Sequence, residues 1–143
     1  MSTDEASSLT LELIQQSLDE SPFQRPFGFR VLSYDRTVGI VEIQMDFVPA
    51  AERSADTRQF HGGAIASLID IAGDYAVFAR LGHGVPTIDL RIDYLRPAID
   101  TRLIARAVVR RLGRTIAVVD VEVTAASGKT VALGRGTYGV KDR

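Results

Sequence analysis

An apolar segment from Ala64 to Leu81 carries two carboxylates, Asp70 and Asp74, with Arg80 near its end. It is apolar at nearly every helical position, so as a helix it is either a membrane span or the centre of a core. Charges interrupt it too often for a bilayer, which leaves the core. A carboxylate in a core costs several kcal/mol unless it is paired or used. Asp70 and Asp74 are therefore the first candidates for chemistry, because an ionised aspartate can attack an electrophilic carbon or take a proton from water. Immediately before the segment stands His61-Gly62-Gly63. At a helix start the first N–H groups lack partners within the helix and carry partial positive charge. Glycine lets another molecule come close to that backbone, and such donors stabilise an oxygen on which negative charge develops. Structural alternatives stand beside each reading: glycines that only turn the chain into the helix, an Asp70 held by an arginine or a backbone group, a His61 satisfied within its loop.

The elements that must position these residues show as changes of period. Leu9, Leu11, Leu13, Ile14 and Leu18 outline a short amphipathic helix with Ser7 or Ser8 as its cap, after a disordered tail over 1–8. Ser21-Pro22 and Arg25-Pro26 end it, and Phe23, Phe27 and Phe29 are expected to tuck the following loop against the body. The period then becomes two from Arg30 to Tyr34 and from Val38 to Phe47, with Gly39, Val41, Ile43, Met45 and Phe47 on one face and a turn at Asp35-Arg36-Thr37. A polar loop covers 49–60. Beyond the central helix, Gly82-His83-Gly84 is a stop. Four strand-like runs follow, Thr87 to Arg96, Leu103 to Leu112, Thr115 to Ala125 and Thr130 to Val140, the last three joined by tight turns. Tight turns imply antiparallel pairing, and one sheet face must be covered by the apolar helix. The expected architecture is α+β, a curled antiparallel sheet around one long helix, with 1–143 read as one domain. The other sheet face, with Arg91, Asp93, Arg106 and Arg110, is expected to meet water.

Composition narrows the function. The 143 residues have a formal net charge of −1, so neither nucleic acid nor an anionic membrane is a natural partner. There is no cysteine, hence no disulfide, thiolate metal site or cysteine nucleophile. The two histidines, His61 and His83, do not form a metal-ligand motif, and no glycine-rich phosphate loop with lysine is present. The polar N-terminus shows no secretory signal, so a cytoplasmic protein is expected.

Four stretches together resemble one family: Phe60-His61-Gly62-Gly63 with Leu68-Ile69-Asp70, Thr87 through Arg96-Pro97, Gly113-Arg114, and Gly134-Arg135-Gly136-Thr137. From about Val31 to Val140 the chain is similar to hotdog-fold thioesterases of the phenylacetate-degradation, PaaI-like branch. The resemblance implies a helix wrapped by a sheet, assembly as dimers or tetramers, and hydrolysis of acyl-CoA thioesters without a metal or other cofactor, coenzyme A being part of the substrate. It places the key carbonyl-polarising donor at the Gly62 N–H and the catalytic acid at Asp70, as nucleophile or general base. It also implies a water-positioning hydroxyl at Thr87. Where relatives carry Asn or Gln, six residues before His61, this chain has Ala55, with Asp56 and Gln59 as nearby polar groups.

One distance bears on assembly. Gly62 and Asp70 are eight residues apart, roughly 12 Å along a helix, whereas both must reach one carbonyl within about 3 Å or one water. Two antiparallel helices related by a two-fold axis can supply both, twice. His61 is a further catalytic candidate, whose ring orients the loop or the substrate carbonyl, and Gly63 is a candidate for contact with substrate. Asp74, one turn past Asp70, either raises a neighbouring carboxyl or serves structure. The phosphates of coenzyme A need arginines; Arg96 and Arg114 are the candidates, with Arg58, Arg110 and Arg111 also in view. Phe60, Tyr75 and Phe78 either shape an acyl pocket or belong to the core. Two other classes remain open: a hotdog protein that binds acyl-CoA or an acyl carrier without catalysis, for which Ala55 speaks, and an enoyl-thioester hydratase or dehydratase, whose usual Asp/His pairing is not found.

Overall fold

The computed structural model describes residues 10–141; the expected tail over 1–8, with Ser7 and Ser8 as caps, lies outside them. The first helix, α1, runs Leu11–Glu20, and the Thr10 hydroxyl accepts from the Leu13 N–H at 3.3 Å. Thr10 is thus its N-cap, and Leu9, expected in this helix, lies outside the described residues. Ile14 and Leu18 are its buried stripe. Of the three phenylalanines after it, Phe29 is buried and Phe27 packs partly against the core, but Phe23 stays 59% exposed. Phe23 is held only at the outer end of a ring row, 5.5 Å from Phe27, which is 5.7 Å from Phe29.

Six strands follow the expected runs closely: β1 Arg30–Asp35, β2 Ile40–Met45, β3 Thr87–Tyr94, β4 Leu103–Leu112, β5 Ile116–Ala125 and β6 Thr130–Gly139. Gly39, expected in β2, belongs instead to the turn, where its φ is +84°. A side chain there would be strained, and its Cβ would lie 2.7 Å from a Val109 methyl. The Asp35 carboxylate closes this turn by accepting from the Thr37 and Val38 N–H groups.

The strands form one antiparallel sheet in the order β1-β2-β4-β5-β6-β3. The long helix α2, Gly62–Leu81, lies against its inner face. Alternation decides which side chains meet it: Val41 and Ile43 from β2, Leu103, Ala105 and Ala107 from β4, Ala117, Val119, Val121 and Val123 from β5. Alanines on β4 and β5 give the helix room to lie close, and Leu68, Ile69, Ala72 and Ala76 fill the space. Each large aliphatic side chain so buried contributes about 1.5–3 kcal/mol. That burial is why α2 is apolar all round.

The outer face carries the charges. Arg110 and Arg135 both bond Asp120, at 2.9 Å and 2.6 Å, and Arg106 approaches Glu42. An open groove on this face, lined among others by Arg91, Arg106, Arg110 and Arg135, lies across the sheet from α2. The two sheet edges differ. At one, the Gln15 side chain of α1 pairs with the β1 backbone, donating to Phe29 O and accepting from Val31 N, both at 2.9 Å. At the other, β3 is uncovered, with Ile88 60% and Tyr94 53% exposed. No helix among the described residues is long and apolar enough to cross a membrane.

Candidate active site

Helix α2 begins at Gly62, two residues before the expected Ala64, because His61 caps it. The His61 Nδ1 accepts from the Gly63 N–H at 2.8 Å, and the His61 carbonyl accepts from the Ala64 and Ile65 N–H groups. His61 is itself fixed, its N–H donating to Ala51 O at 2.7 Å. Three of the four first-turn donors are thereby engaged. Among the described residues nothing accepts from the fourth, the Gly62 N–H. The chain thus presents one free backbone donor at the positive end of a 20-residue helix. The Tyr94 ring, from the end of β3, stands beside it, its hydroxyl donating to Gly62 O at 2.8 Å.

Two turns along the same helix, the half-buried Asp70 carboxylate is held through one oxygen. Thr87 donates to Oδ1 at 2.6 Å. The Tyr138 hydroxyl donates to the Asp70 carbonyl at 3.0 Å and lies 3.4 Å from Oδ1. No donor among the described residues reaches Oδ2. Thr87 and Tyr138 face one another across the β3–β6 pair, beside a register shift at Thr87/Asp89. Their hydroxyls therefore converge on one point over the helix.

Asp74, half-buried like Asp70, accepts from the Val85 N–H at 3.3 Å. Loss of water around it pushes its carboxyl up to about 6, helped by the Asp70 charge and opposed by the Val85 N–H and His83. The tether matters for Asp70, because Val85 stands two residues before Thr87. Tyr75 bonds the Ser17 hydroxyl at 2.8 Å and packs on Phe78, so it joins α1 to α2. Phe60 is buried edge-on against Phe47.

The arginines expected near substrate phosphates are scattered. Arg96 is exposed just past β3, near the Gly62 end, and Arg114 is exposed in the β4–β5 hairpin. Arg58 bonds Asp100 and stacks on Phe47, 4.4 Å from the ring centre, while Arg110 is occupied by Asp120. Ala55 is exposed in the loop before His61, where the Glu52 carboxylate accepts from the Asp56 and Arg58 N–H groups. Both these residues have positive φ, 64° and 54°, so the loop is held in one shape against local strain. Among the described residues no group of three His, Asp or Glu side chains is placed to hold a metal ion.

Two groups at the site escape a reading of the sequence, Tyr94 and Tyr138. A signal for Tyr138 exists in the alternation of β6. Ala132, Gly134, Gly136 and Tyr138 share the inward face, and two glycines there mark space left for something large.

Residues 60–132 match the family model described as the thioesterase superfamily. The chain belongs to this family. Within it, an acyl-coenzyme A thioesterase of Escherichia coli, PaaI, is 33% identical over 114 residues, covering 78% of this chain and 77% of that one. A Halobacterium salinarum protein assigned as an esterase is 43% identical over 90 residues, and there the chain spans only 59% of the relative's length. Among solved structures, zebrafish thioesterase superfamily member 2 superposes with a TM-score of 0.81 at 30% identity, over 93% of this chain and 99% of that one. The protein is a PaaI-like thioesterase with the hotdog fold, and its sheet and long helix are that fold's two parts.

Proposed function

We propose that this thioesterase hydrolyses acyl-coenzyme A to the free acid and coenzyme A, in a site shared by two copies of the chain. One observation carries the reading: a single helix bears a free backbone donor at Gly62 and, two turns on, a carboxylate with one oxygen held and the other open. The E. coli relative's acyl-coenzyme A substrate supports the class. The thioester carbonyl oxygen accepts from the Gly62 N–H, which strengthens as negative charge grows on it. Asp70 Oδ2 either attacks the carbonyl carbon, giving an anhydride that water opens, or removes a proton from the water that attacks. In both routes the C–S bond breaks, the thiolate leaves and takes up a proton, and one water is consumed. No metal or cofactor enters the balance.

The uncovered β3 supports the shared site. Its first residue, Thr87, holds Asp70, and its last, Tyr94, stands at Gly62. Two β3 strands paired antiparallel about their midpoints bring Thr87 of one copy opposite Tyr94 of the other. The Asp70 end of one α2 then lies by the Gly62 end of its mate, as the roughly 12 Å separation within one helix requires. His61 and Gly63 form the mouth of that site. Asp74 and Thr87 keep its acid end in place, and Arg96 and Arg114 are proposed to meet the substrate's phosphates. We read the chain as one such domain working as a dimer or a dimer of dimers.

The test is release of free thiol from a panel of acyl-coenzyme A substrates, wild type beside Asp70→Asn. We expect wild-type turnover and a fall of at least about a hundredfold in the variant. Undiminished turnover by Asp70→Asn would discard the mechanism. The exposed Ala55, where relatives carry a polar residue, favours a second reading as a non-catalytic acyl-coenzyme A binder. Substrate bound by the wild type with no thiol released from any of the panel would select it.

A further inference from the structure

We infer that Tyr138 is a positioning residue for the reaction, its hydroxyl fixing Asp70 so that Oδ2 alone is free to react. The inference rests on the proposed role of Asp70. Tyr138 is fully buried, and two elements are shaped around it. A Cβ on Gly73, in the middle of α2, would lie 2.1 Å from the Tyr138 hydroxyl oxygen. A Cβ on Gly136, in β6, would lie 2.5 Å from its ring. A glycine inside a helix costs about 1 kcal/mol relative to alanine, and one inside a strand also weakens it. Two such positions are given over to one phenol group, and no smaller side chain at 138 would need them. The space delivers the hydroxyl to Asp70 at both its carbonyl and Oδ1.

The second hydroxyl on Oδ1, from Thr87, is exposed within the single chain, on the strand proposed to pair with a second copy. Tyr138 is not: burial pushes its hydroxyl well above the ordinary phenol range, so it remains a donor throughout the working pH range. Donation to one carboxylate oxygen restrains the rotation of the group. Asp70 Oδ1 therefore has one anchor on the outermost strand and one inside the core of its own chain.

Tyr138→Phe keeps the ring in its seat and removes only the hydroxyl. The measurement is kcat and KM for wild type, Tyr138→Phe, Asp70→Asn and the double variant, at a temperature well below each Tm. Expected for Tyr138→Phe are a roughly tenfold lower kcat and a KM within about twofold. In the double variant the residual rate should equal that of Asp70→Asn, because Tyr138 acts through the group already lost. Tyr138→Phe with a lower Tm but wild-type kcat would overturn the inference, leaving the tyrosine a packing residue. An equal further loss in the Asp70→Asn background would overturn it too. Full activity in Asp70→Asn itself would instead discard the Asp70 mechanism on which the inference rests, so the two failures are distinct. If Tyr138→Phe does not fold, Gly136→Ala displaces the same ring from β6, and wild-type kcat in that variant would also overturn the inference.

Discussion

At the scale of single residues, α2 carries one donor and two carboxylates whose duties differ by what surrounds them. Asp70 is bonded by hydroxyls, whereas Asp74, equally half-buried, is bonded by a backbone N–H. The Asp74 carboxyl, pushed up to about 6 against 3.8 for an ordinary aspartate, holds its proton more tightly in the folded chain than in the unfolded one. Folding stability should therefore fall as pH rises from about 4 to about 6 and then level off. Asp74→Asn keeps an oxygen for the Val85 N–H and removes the charge. It should unfold at higher urea than wild type at pH 8, by on the order of 1–3 kcal/mol, with the gain gone by pH 3.5. The Gly62 donor can be deleted almost cleanly. Gly62 is the first helical residue, where proline is accepted, and His61 has the extended φ of −64° and ψ of 140° that suits a following proline. Gly62→Pro should keep the far-ultraviolet spectrum and Tm of the wild type while kcat falls about 10²–10³-fold.

At the scale of elements, the sheet solves its two edges in opposite ways. Gln15 completes the β1 edge by imitating a neighbouring strand, one donor and one acceptor spaced to meet Phe29 O and Val31 N. Gln15→Ala leaves both backbone groups without that partner and releases α1 from the sheet. A loss of about 1–3 kcal/mol in urea unfolding is expected, with faster hydrogen exchange confined to α1 and the Val31 amide. The sequence shows α1 as an amphipathic helix but not this bond, because a glutamine on a helix surface has no periodic signature. The β3 edge has no such cover. An uncovered strand with exposed Ile88 and Tyr94 is a template for pairing, and it is the strand that touches both ends of the site.

At the scale of the whole molecule, the proposed sharing of the site between two copies makes a quantitative prediction. Asp70→Asn and Gly62→Pro chains are each expected to be nearly inactive alone. Co-refolded in equal amounts, half of the dimers are mixed, and each mixed dimer has one intact site of two. Thiol release should then recover to about a quarter of wild type. A site complete within one chain would give no recovery.

The sequence by itself determined the elements, the inward faces of β2, β4 and β5, the placement of His61 and Gly62 at the start of the helix that carries Asp70, and the family. These follow from period, turn chemistry and local spacing, which act over a few residues. The tertiary structure alone decided that β3 crosses to the far edge beside β6, so that Thr87 and Tyr138 become neighbours over Asp70. It alone showed that His61 takes up the Gly63 N–H and leaves the Gly62 donor free. Asp70 and Tyr138 are 68 residues apart along the chain. Contacts at that separation arise from strand order and the packing of a helix on a sheet, and no local pattern encodes them.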